Sequence, residues 1–197
     1  MNTPILKNRS VKFRLLRVLL LSVSFLAVAQ ISFAENLFPN GEFDQPNSDS
    51  TWPAKIGKPS KGSYSWEDEA GERFIRMSMV EPLQTVMIYQ QFGLKGADRV
   101  EIKVRARVTG LVKGPKSWFD ARIMGDFRGS ASQKIKDIKP IVFGRDTDGW
   151  VERSVIAEVP QGAIFMALMP TLLQPNEGTL DIASITVTPL APEPVQP

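Results

Sequence analysis

The sequence predicts an all-β fold, a two-sheet antiparallel β-sandwich in the form of a jelly roll. Apolar and polar residues alternate with a period of two in several runs, and clusters of turn residues separate these runs. No segment keeps the 3.6-residue period and end caps of an amphipathic helix. Many strands joined by short turns are typical of sandwiches and jelly rolls.

The first element along the chain is a predicted export signal over residues 1–34. Residues 1–17 carry five Lys and Arg and no acid, residues 18–29 are almost uniformly apolar, and residues 32–34 form a small-x-small cleavage pattern. We expect cleavage after Ala34 and a secreted protein, either extracellular or periplasmic. The apolar run is short for a membrane span, and an uncleaved N-terminal anchor is the alternative. No cysteine follows, which excludes a bacterial lipoprotein anchor.

Cleavage changes the charge of the chain. The full chain has 24 Lys and Arg against 21 Asp and Glu, so without the five basic residues of the signal 19 face 21. The mature protein is therefore slightly acidic and keeps no basic block that would indicate nucleic-acid binding. We expect no nucleic-acid partner, and no membrane partner after cleavage.

Residues 35–190 are predicted to form one domain, built from strands. The strongest signal is 100–108, where Val, Ile and Ala at even positions alternate with charged residues up to Arg107. The run 119–127 alternates in the same way. Further strand signals, separated by Gly-, Pro- and Asp-containing turns, lie at 73–80, 85–94, 139–144, 149–159, 163–173 and 179–188. The polar segment 129–139 is predicted to be a longer loop, and the proline-rich residues 191–197 a disordered tail.

Two residue types are absent, and their absence restricts the possible chemistry. The chain has no cysteine and no histidine. Disulfides, Ser-His-Asp triads, Cys-His pairs and His-rich zinc sites are therefore excluded. The three consecutive acids at 67–69 run into Ala70 and Gly71, with Glu72 after them, which is typical of a solvated turn rather than of a supported glycosidase pair. We expect no enzymatic activity.

Several motifs, taken in order along residues 36–189, resemble carbohydrate-binding modules of the family 4/9/22 type, a galactose-binding-like jelly roll. The first is Asn36-Leu37-x-x-Asn40-Gly41-x-Phe43-Asp44. The others are Leu94-Lys95-Gly96 with 100–106, Gly149-Trp150 with 155–159, and Thr179-Leu180-Asp181-Ile182 through Val187. Segments 116–124 and 147–152 resemble a jelly roll on secreted bacterial glycoside hydrolases. The resemblance implies a non-catalytic domain that binds a polysaccharide or oligosaccharide, with a glycoside hydrolase as a possible partner.

The resemblance also bears on metal binding. Such modules often carry an Asp-Asp pair in the last strand, whose first member helps to bind a structural calcium. The matching positions here are Ala183 and Ser184, although Asp44 and Asp181 remain as oxygen donors. We expect no cofactor and a fold that is independent of metal.

The candidate binding residues follow from strand alternation. If Phe119, Ala121 and Ile123 enter the core, the side chains between them point outward together. By the same argument, Arg105 points outward from the run 100–108. Tyr89 and Gln91 point outward if Ile88 and Phe92 are buried. The six predicted carbohydrate-binding residues are Trp118, Asp120, Arg122, Tyr89, Gln91 and Arg105.

These residues combine an indole that can stack on a pyranose with charged and amide groups that can bind its hydroxyls. The alternative is structural: Trp118 covers a sheet edge, and Asp120 and Arg122 form an ordinary ion pair. Trp150 is expected in the core and Trp52 beneath the N-terminal strand. At the level of function, the alternative to glycan binding is a structural or protein-interaction domain that packs against an envelope or hydrolase partner.

Overall fold

The computed structural model describes residues 35–191. The predicted export signal, 1–34, and residues 192–197 of the predicted tail lie outside the described residues. Within the described part the chain forms eleven strands and no helix, so no helix there is long and apolar enough to cross a membrane. All strand pairs are antiparallel and form two sheets, which confirms the predicted all-β sandwich.

The first sheet has five strands, in the order β1-β2-β11-β5-β9. Its central strands, β5 and β11, come from distant parts of the chain and pair along most of their 14 residues. The strand bounds are β1 Ser63–Glu69, β2 Glu72–Ser78, β5 Arg99–Val112, β9 Val151–Glu158 and β11 Glu177–Leu190.

The second sheet has six strands, with β10 and β6 paired at its centre. The short strands β3 and β4 both pair with β10 on one side, and β7 and β8 both pair with β6 on the other. The strand bounds are β3 Thr85–Met87, β4 Gln90–Gly93, β6 Ala121–Arg128, β7 Lys134–Asp137, β8 Ile141–Phe143 and β10 Phe165–Leu173.

The core lies between the two sheets and follows the alternation in the sequence. On β5, the residues that alternate with the charged positions are completely buried, as predicted; they are Val100, Ile102, Val104, Ala106 and Val108. On β6, Ala121, Ile123 and Phe127 enter the same core. The intervening side chains of each strand consequently lie on the outer face of its sheet.

The N-terminal motif fastens the chain to β11. The Asn36 amide donates to Ile185 O at 3.1 Å and accepts from the Val187 N–H at 2.8 Å. A Cβ on Gly41 would lie 2.1 Å from Ile185 O, so only glycine fits there. The motif that resembles carbohydrate-binding modules therefore has a structural role, independent of any ligand.

Two strands were absent from the prediction. Strand β1 includes the acids at 67–69, and the turn is confined to Ala70 and Gly71, both of which have a positive φ, as a two-residue hairpin turn requires. Strand β7 lies within the segment predicted to be a loop, and all four of its residues are exposed. Both strands lie at sheet edges, where no buried alternation marks them in the sequence.

Candidate functional site

The outer face of the six-stranded sheet carries most of the predicted binding residues. Its floor is formed by outward side chains of β10 and β6 that stand opposite each other. These pairs are Thr171 with Arg122, Met169 with Met124, Ala167 with Asp126, and Phe165 with Arg128. Thr171 and Ala167 are fully buried within this floor, whereas Trp118 and Tyr89 are exposed beside it.

Five residues at one end of this face form what we call the Trp118 corner: Lys113, Lys116, Trp118, Asp120 and Arg122. The indole of Trp118 is 52% exposed and packs edge-on against Phe119, with ring centroids 6.2 Å apart. The loop that holds it is closed by a Phe119 N–H to Lys116 O hydrogen bond of 2.9 Å. Trp118 is therefore an exposed aromatic platform on a fixed loop.

Two residues after Trp118, Asp120 forms a buried ion pair with Arg122. The Arg122 Nε donates to Asp120 Oδ1 at 2.7 Å, and the two side chains are 12% and 2% exposed. A charge as buried as Asp120 needs such a partner, so the pair is much more than an ordinary surface contact. Among residues 35–191, Arg122 makes no other side-chain hydrogen bond, so the donors of its two terminal nitrogens stay available.

A small cavity of about 190 Å³ opens beside Arg122 and Met124. Asp137, Ile138 and Pro140 also line it. Pockets for whole small molecules are usually larger, from about 300 Å³ upward. The cavity therefore fits a substituent of a larger ligand, while the open face accommodates the rest.

At the opposite end of the face lies a second group, the Tyr89 corner: Tyr89, Gln91, Asp126, Arg128 and Ser132. Here the polar groups bind one another. Arg128 donates to Asp126 at 2.6 and 3.0 Å and to Ser132 O at 3.0 Å, and Tyr89 Oη donates to Gln91 at 3.1 Å. The hydrogen bonds to Asp126 raise the pKa of the Arg128 guanidinium above its usual value. Arg128 also lies 5.5 Å from the Tyr89 ring centroid, covering part of that ring.

The structure thus brings together five of the six predicted binding residues on one sheet, at its two ends. The sixth, Arg105, points outward as predicted but from β5 of the other sheet, because β6 pairs with β10 and not with β5. It forms an ion pair with Glu72 and lies 5.1 Å from the Trp150 ring centroid. Arg105 therefore does not share a face with Trp118.

On the outer face of the five-stranded sheet, Arg105 borders the Asp181 cluster: Phe74, Arg76, Arg107, Trp150 and Asp181. Asp181 is 1% exposed and accepts from Arg76 at 2.8 and 2.9 Å and from Arg107 at 3.0 and 2.8 Å. The hydrogen bonds from Arg76 to Asp181 raise the pKa of Arg76. For Arg107, burial lowers the pKa, but its interactions with Asp181 and Glu69 together outweigh that effect and raise it. Phe74 is buried beneath the two guanidinium groups, 5.2 and 5.4 Å from their carbons.

Trp150 belongs to this cluster and not to the core between the sheets, where the resemblance placed it. It is half-buried, packs against Phe74 with ring centroids 5.3 Å apart, and has the Arg107 guanidinium 4.5 Å from its centroid. Trp52 is buried as expected and donates to Ile56 O at 3.0 Å. Trp66 is half-buried at the edge of the core, with Arg73 over its ring at 4.9 Å.

Asp126 and Arg128 also lie on this face and were absent from the predicted binding residues. A signal for them exists, because Asp120-x-Arg122 and Asp126-x-Arg128 repeat the same spacing on one strand. Residues two apart on a strand share a face, so each Asp can pair with the following Arg. The repeat marks two ion pairs on one outer face.

The two carboxylates that could bind calcium, Asp44 and Asp181, have different surroundings. Asp181 is bound by its two arginines, whereas Asp44 lines a different cavity of about 440 Å³ together with Glu42, Ala183 and Arg105. Within residues 35–191, no group of three or more acidic side chains is arranged to hold a metal ion. The residues present do not form the oxygen cage that calcium requires.

No protein-family profile matches the sequence, and no curated protein matches it. The fold is similar to solved structures that are mostly carbohydrate-binding modules. A family 61 module solved with β-1,4-galactotriose has a TM-score of 0.50 and 9% identity, covering 80% of this chain and 100% of the module. A family 4 module has a TM-score of 0.49 and 15% identity, covering 78% of this chain and 99% of the module.

One match is part of an enzyme. The enzymatically active domain of tailspike protein 4 from bacteriophage CBA120 has a TM-score of 0.56 and 11% identity over 79% of this chain. The chain spans only 21% of that protein. At these identities, the similarities to the family 61 module and to the tailspike domain establish a shared fold and nothing further.

Proposed function

We propose that this protein is a non-catalytic domain that binds a glycan on the outer face of its six-stranded sheet. Trp118 stacks on the apolar face of a sugar ring, and Arg122 donates to its oxygens. Tyr89 and Gln91 make contacts at the other end of the face. The fold supports this proposal, because a module of similar fold has been solved with a galactotriose.

The proposal rests mainly on two properties of the Trp118 corner: an exposed indole and arginine donors without a partner within the described residues. An indole that is 52% exposed stands two residues before buried Asp120, which fixes the Arg122 guanidinium by a 2.7 Å bond. Aromatic rings offer large apolar area at little entropic cost, and fixed donors give direction to polar contacts. An exposed platform beside fixed, unused donors is what a shallow sugar site requires.

The carboxylates on this face favour binding over catalysis. Glycoside hydrolases need one protonated acid and one free carboxylate, about 5–9.5 Å apart. Both Asp120 and Asp126 are buried and are engaged by hydrogen bonds from the neighbouring arginines. Neither carboxyl group is therefore free to reach a glycosidic oxygen.

Export is part of the same proposal. The sequence of residues 1–34 supports secretion and a mature N-terminus at Glu35. Outside the cell or in the periplasm, the domain would meet polysaccharides and act alongside a glycoside hydrolase. Intact-mass measurement of exported protein is expected to give a chain that starts at Glu35; retention of residues 1–34 in a membrane fraction would contradict cleavage.

A second candidate function is protein interaction. Three exposed apolar residues, Val80, Leu83 and Val112, lie near one end of the sandwich. Their loops are joined by Leu83 N–H to Pro175 O and Asn176 N–H to Val112 O hydrogen bonds, of 2.9 and 2.8 Å. Such exposed apolar groups favour contact with a partner protein.

Glycan binding can be tested by titrating the protein with a panel of polysaccharides that includes β-1,4-galactan, xylan and β-glucan. We expect at least one to bind, and Trp118→Ala to weaken its affinity by about tenfold or more, which corresponds to about 1.4 kcal/mol. The urea midpoint of Trp118→Ala should stay close to that of the parent, because the side chain is exposed.

A matched control is Tyr64→Ala, which removes an exposed aromatic side chain from the five-stranded sheet. It should leave the glycan affinity unchanged. If the parent protein binds no polysaccharide at millimolar sugar concentrations, glycan binding is excluded and the interaction domain becomes the better account. A large stability loss in Trp118→Ala would instead identify Trp118 as a structural residue.

A further inference from the structure

The charges of the domain are unevenly distributed along the chain. The segment 113–143, which contains the loop before β6 and strands β6, β7 and β8, carries seven Lys and Arg against three Asp, a net charge of +4. The rest of the described domain, 35–112 and 144–191, carries 12 Lys and Arg against 17 Asp and Glu, a net charge of −5. The segment that builds the Trp118 corner is therefore a basic part of an otherwise acidic domain.

All three acids of this segment are neutralised by bases of the same segment. The pairs are Arg122 with Asp120, Arg128 with Asp126, and Lys134 with Asp137. Four lysines are left over, and no carboxylate among residues 35–191 lies within salt-bridge distance of them. They are Lys113, Lys116, Lys136 and Lys139.

Two of these lysines belong to the Trp118 corner. The Lys116 ammonium lies 5.4 Å from the Trp118 ring centroid. The Lys113 ammonium and the Asp120 carboxylate both border Gly144, where an added Cβ would lie 3.1 Å from Lys113 Nζ and 3.5 Å from Asp120 Oδ2. The corner thus holds two lysines without an acidic partner, Lys116 near the Trp118 ring and Lys113 near the Asp120 carboxylate, together with the free donors of Arg122.

We propose, as an inference that rests on the proposed glycan-binding function, that the ligand is an anionic glycan. A carboxylate or sulfate group on the sugar that stacks on Trp118 is bound by Lys116, Lys113 and the terminal N–H groups of Arg122. Arg122 suits this role because its fork geometry matches a carboxylate or a sulfate. Asp120 fixes the fork and neutralises only one of the three cations.

A neutral sugar would leave these charges unused. Its hydroxyls need hydrogen-bond donors and acceptors in balance, whereas Lys113 and Lys116 supply donors only. Neighbouring cations without partners repel each other, and an anion placed between them removes that repulsion. Because the lysines are solvent-exposed, we expect each to contribute about threefold to fivefold in affinity, and less at high salt.

The test compares polysaccharides that differ in charge but share a backbone. The first pair is polygalacturonate and its fully methyl-esterified form, which distinguishes a carboxylate; the second is dextran sulfate and dextran, which distinguishes a sulfate. Affinities of the purified protein are measured at about 20 mM and about 500 mM salt, where the Debye length falls to well under 10 Å. We expect the charged member of one pair to bind at least about tenfold tighter at low salt, and the preference to shrink at high salt.

Lysine variants then identify which lysines bind the anionic group of the glycan. Lys113→Gln and Lys116→Gln should each weaken binding of the charged polysaccharide by about threefold or more. Lys136→Gln makes the same change in net charge but stands opposite core residue Phe127 in the register, so its side chain leaves from the other side of the sheet. It should change the affinity by less than about twofold. The urea midpoints of all three variants verify that they are folded.

The outcomes separate the two claims. Equal affinity for the charged and neutral members of both pairs would overturn the anionic ligand and leave glycan binding intact. An equal effect of Lys136→Gln, or equally tight binding of polyglutamate or single-stranded DNA, would also overturn it, because both indicate general attraction of polyanions. Binding of no polysaccharide, in these pairs or in the neutral panel, would overturn the glycan-binding function itself and the inference with it.

Discussion

The outer faces of the two sheets carry the same kinds of residue in two different states. On the five-stranded sheet, Asp181 takes up two arginines, and Trp150 packs over one of them. On the six-stranded sheet, Asp120 takes up only Arg122, and Trp118 stands 52% exposed beside that pair. We call the Asp181 cluster closed, because the charged groups of its members bind one another. We call the Trp118 corner open, because the terminal N–H groups of Arg122 and much of the indole have no partner within the described residues.

This difference shows that aromatic, arginine and aspartate residues together do not define a ligand site. Such groups also form where a fold must cover the back of a sheet, as Phe74 is covered by Arg76 and Arg107. What separates the two faces is the number of hydrogen-bond donors left without a partner and the exposure of the aromatic side chain, 52% for Trp118 against a half-buried Trp150. The Tyr89 corner lies between these extremes, because its polar groups bind one another although its ring is 41% exposed.

The largest effect is expected from opening the closed cluster. Asp181→Ala leaves two guanidinium groups over buried Phe74 without their shared counter-charge. Breaking a buried pair in this way costs about 3 kcal/mol of unfolding free energy, the low end of the usual range, because Arg76 keeps contact with solvent. Urea unfolding measures the loss, and glycan affinity of the folded variant should remain that of the parent.

The control for this variant is Glu101→Ala, on the same face of the same sheet. Glu101 has no ion pair among those of the described residues, so its removal should change the stability by less than about 0.5 kcal/mol. A loss of glycan binding in folded Asp181→Ala would contradict the separation of the two faces.

A smaller effect on stability is expected from the two Asp-x-Arg pairs of β6. Arg122→Met and Arg128→Met each leave a buried aspartate without its charged partner, at a cost of about 1–3 kcal/mol. Only Arg122→Met should also weaken glycan affinity, by about fivefold or more, because only Arg122 has unused donors. Equal losses of affinity in both variants would show that the Tyr89 corner is as open as the Trp118 corner.

Removing one hydroxyl from the Tyr89 corner should have a still smaller effect. Tyr89→Phe deletes the 3.1 Å bond to Gln91 and keeps the ring. Because the bond is exposed, the stability should fall by no more than about 0.5 kcal/mol and the affinity by less than about twofold. An affinity loss of tenfold would mean that the hydroxyl binds the sugar directly.

Chelation should have no measurable effect. The arginines occupy Asp181, and Arg105 pairs with Glu72 beside the cavity that Asp44 lines. Melting temperatures with calcium and with EDTA should therefore agree within about 1 °C. A chelator-induced drop of several degrees, equivalent to about 1 kcal/mol, would reveal a metal held by other ligands.

The alternation of apolar and polar residues was sufficient to predict the strands that line the core. The run 100–108 predicted β5 because one face of that strand is completely buried. Strand β7 has no buried face, so Lys134–Asp137 carries no alternation to detect. Strand β1 was missed for a similar reason, because it is an edge strand without a buried face and ends in three consecutive acids.

The candidate site was only partly predictable. Alternation gave the outward direction of Asp120, Arg122 and Arg105 but not the sheet to which each strand belongs. That depends on pairings between distant segments, such as β6 with β10 and β5 with β11. The open state of the Trp118 corner was also hidden, because it depends on which charges find partners in three dimensions.

The most direct test follows the four tryptophans during a glycan titration. Trp52, Trp66, Trp118 and Trp150 each give one indole N–H signal in a ¹⁵N-correlated NMR spectrum, and single Trp→Phe variants assign them. With a polysaccharide that the protein binds, we expect the Trp118 signal to shift in proportion to saturation while the Trp150 signal stays in place. A moving Trp150 signal with a stationary Trp118 signal would place the ligand on the five-stranded sheet and contradict the account.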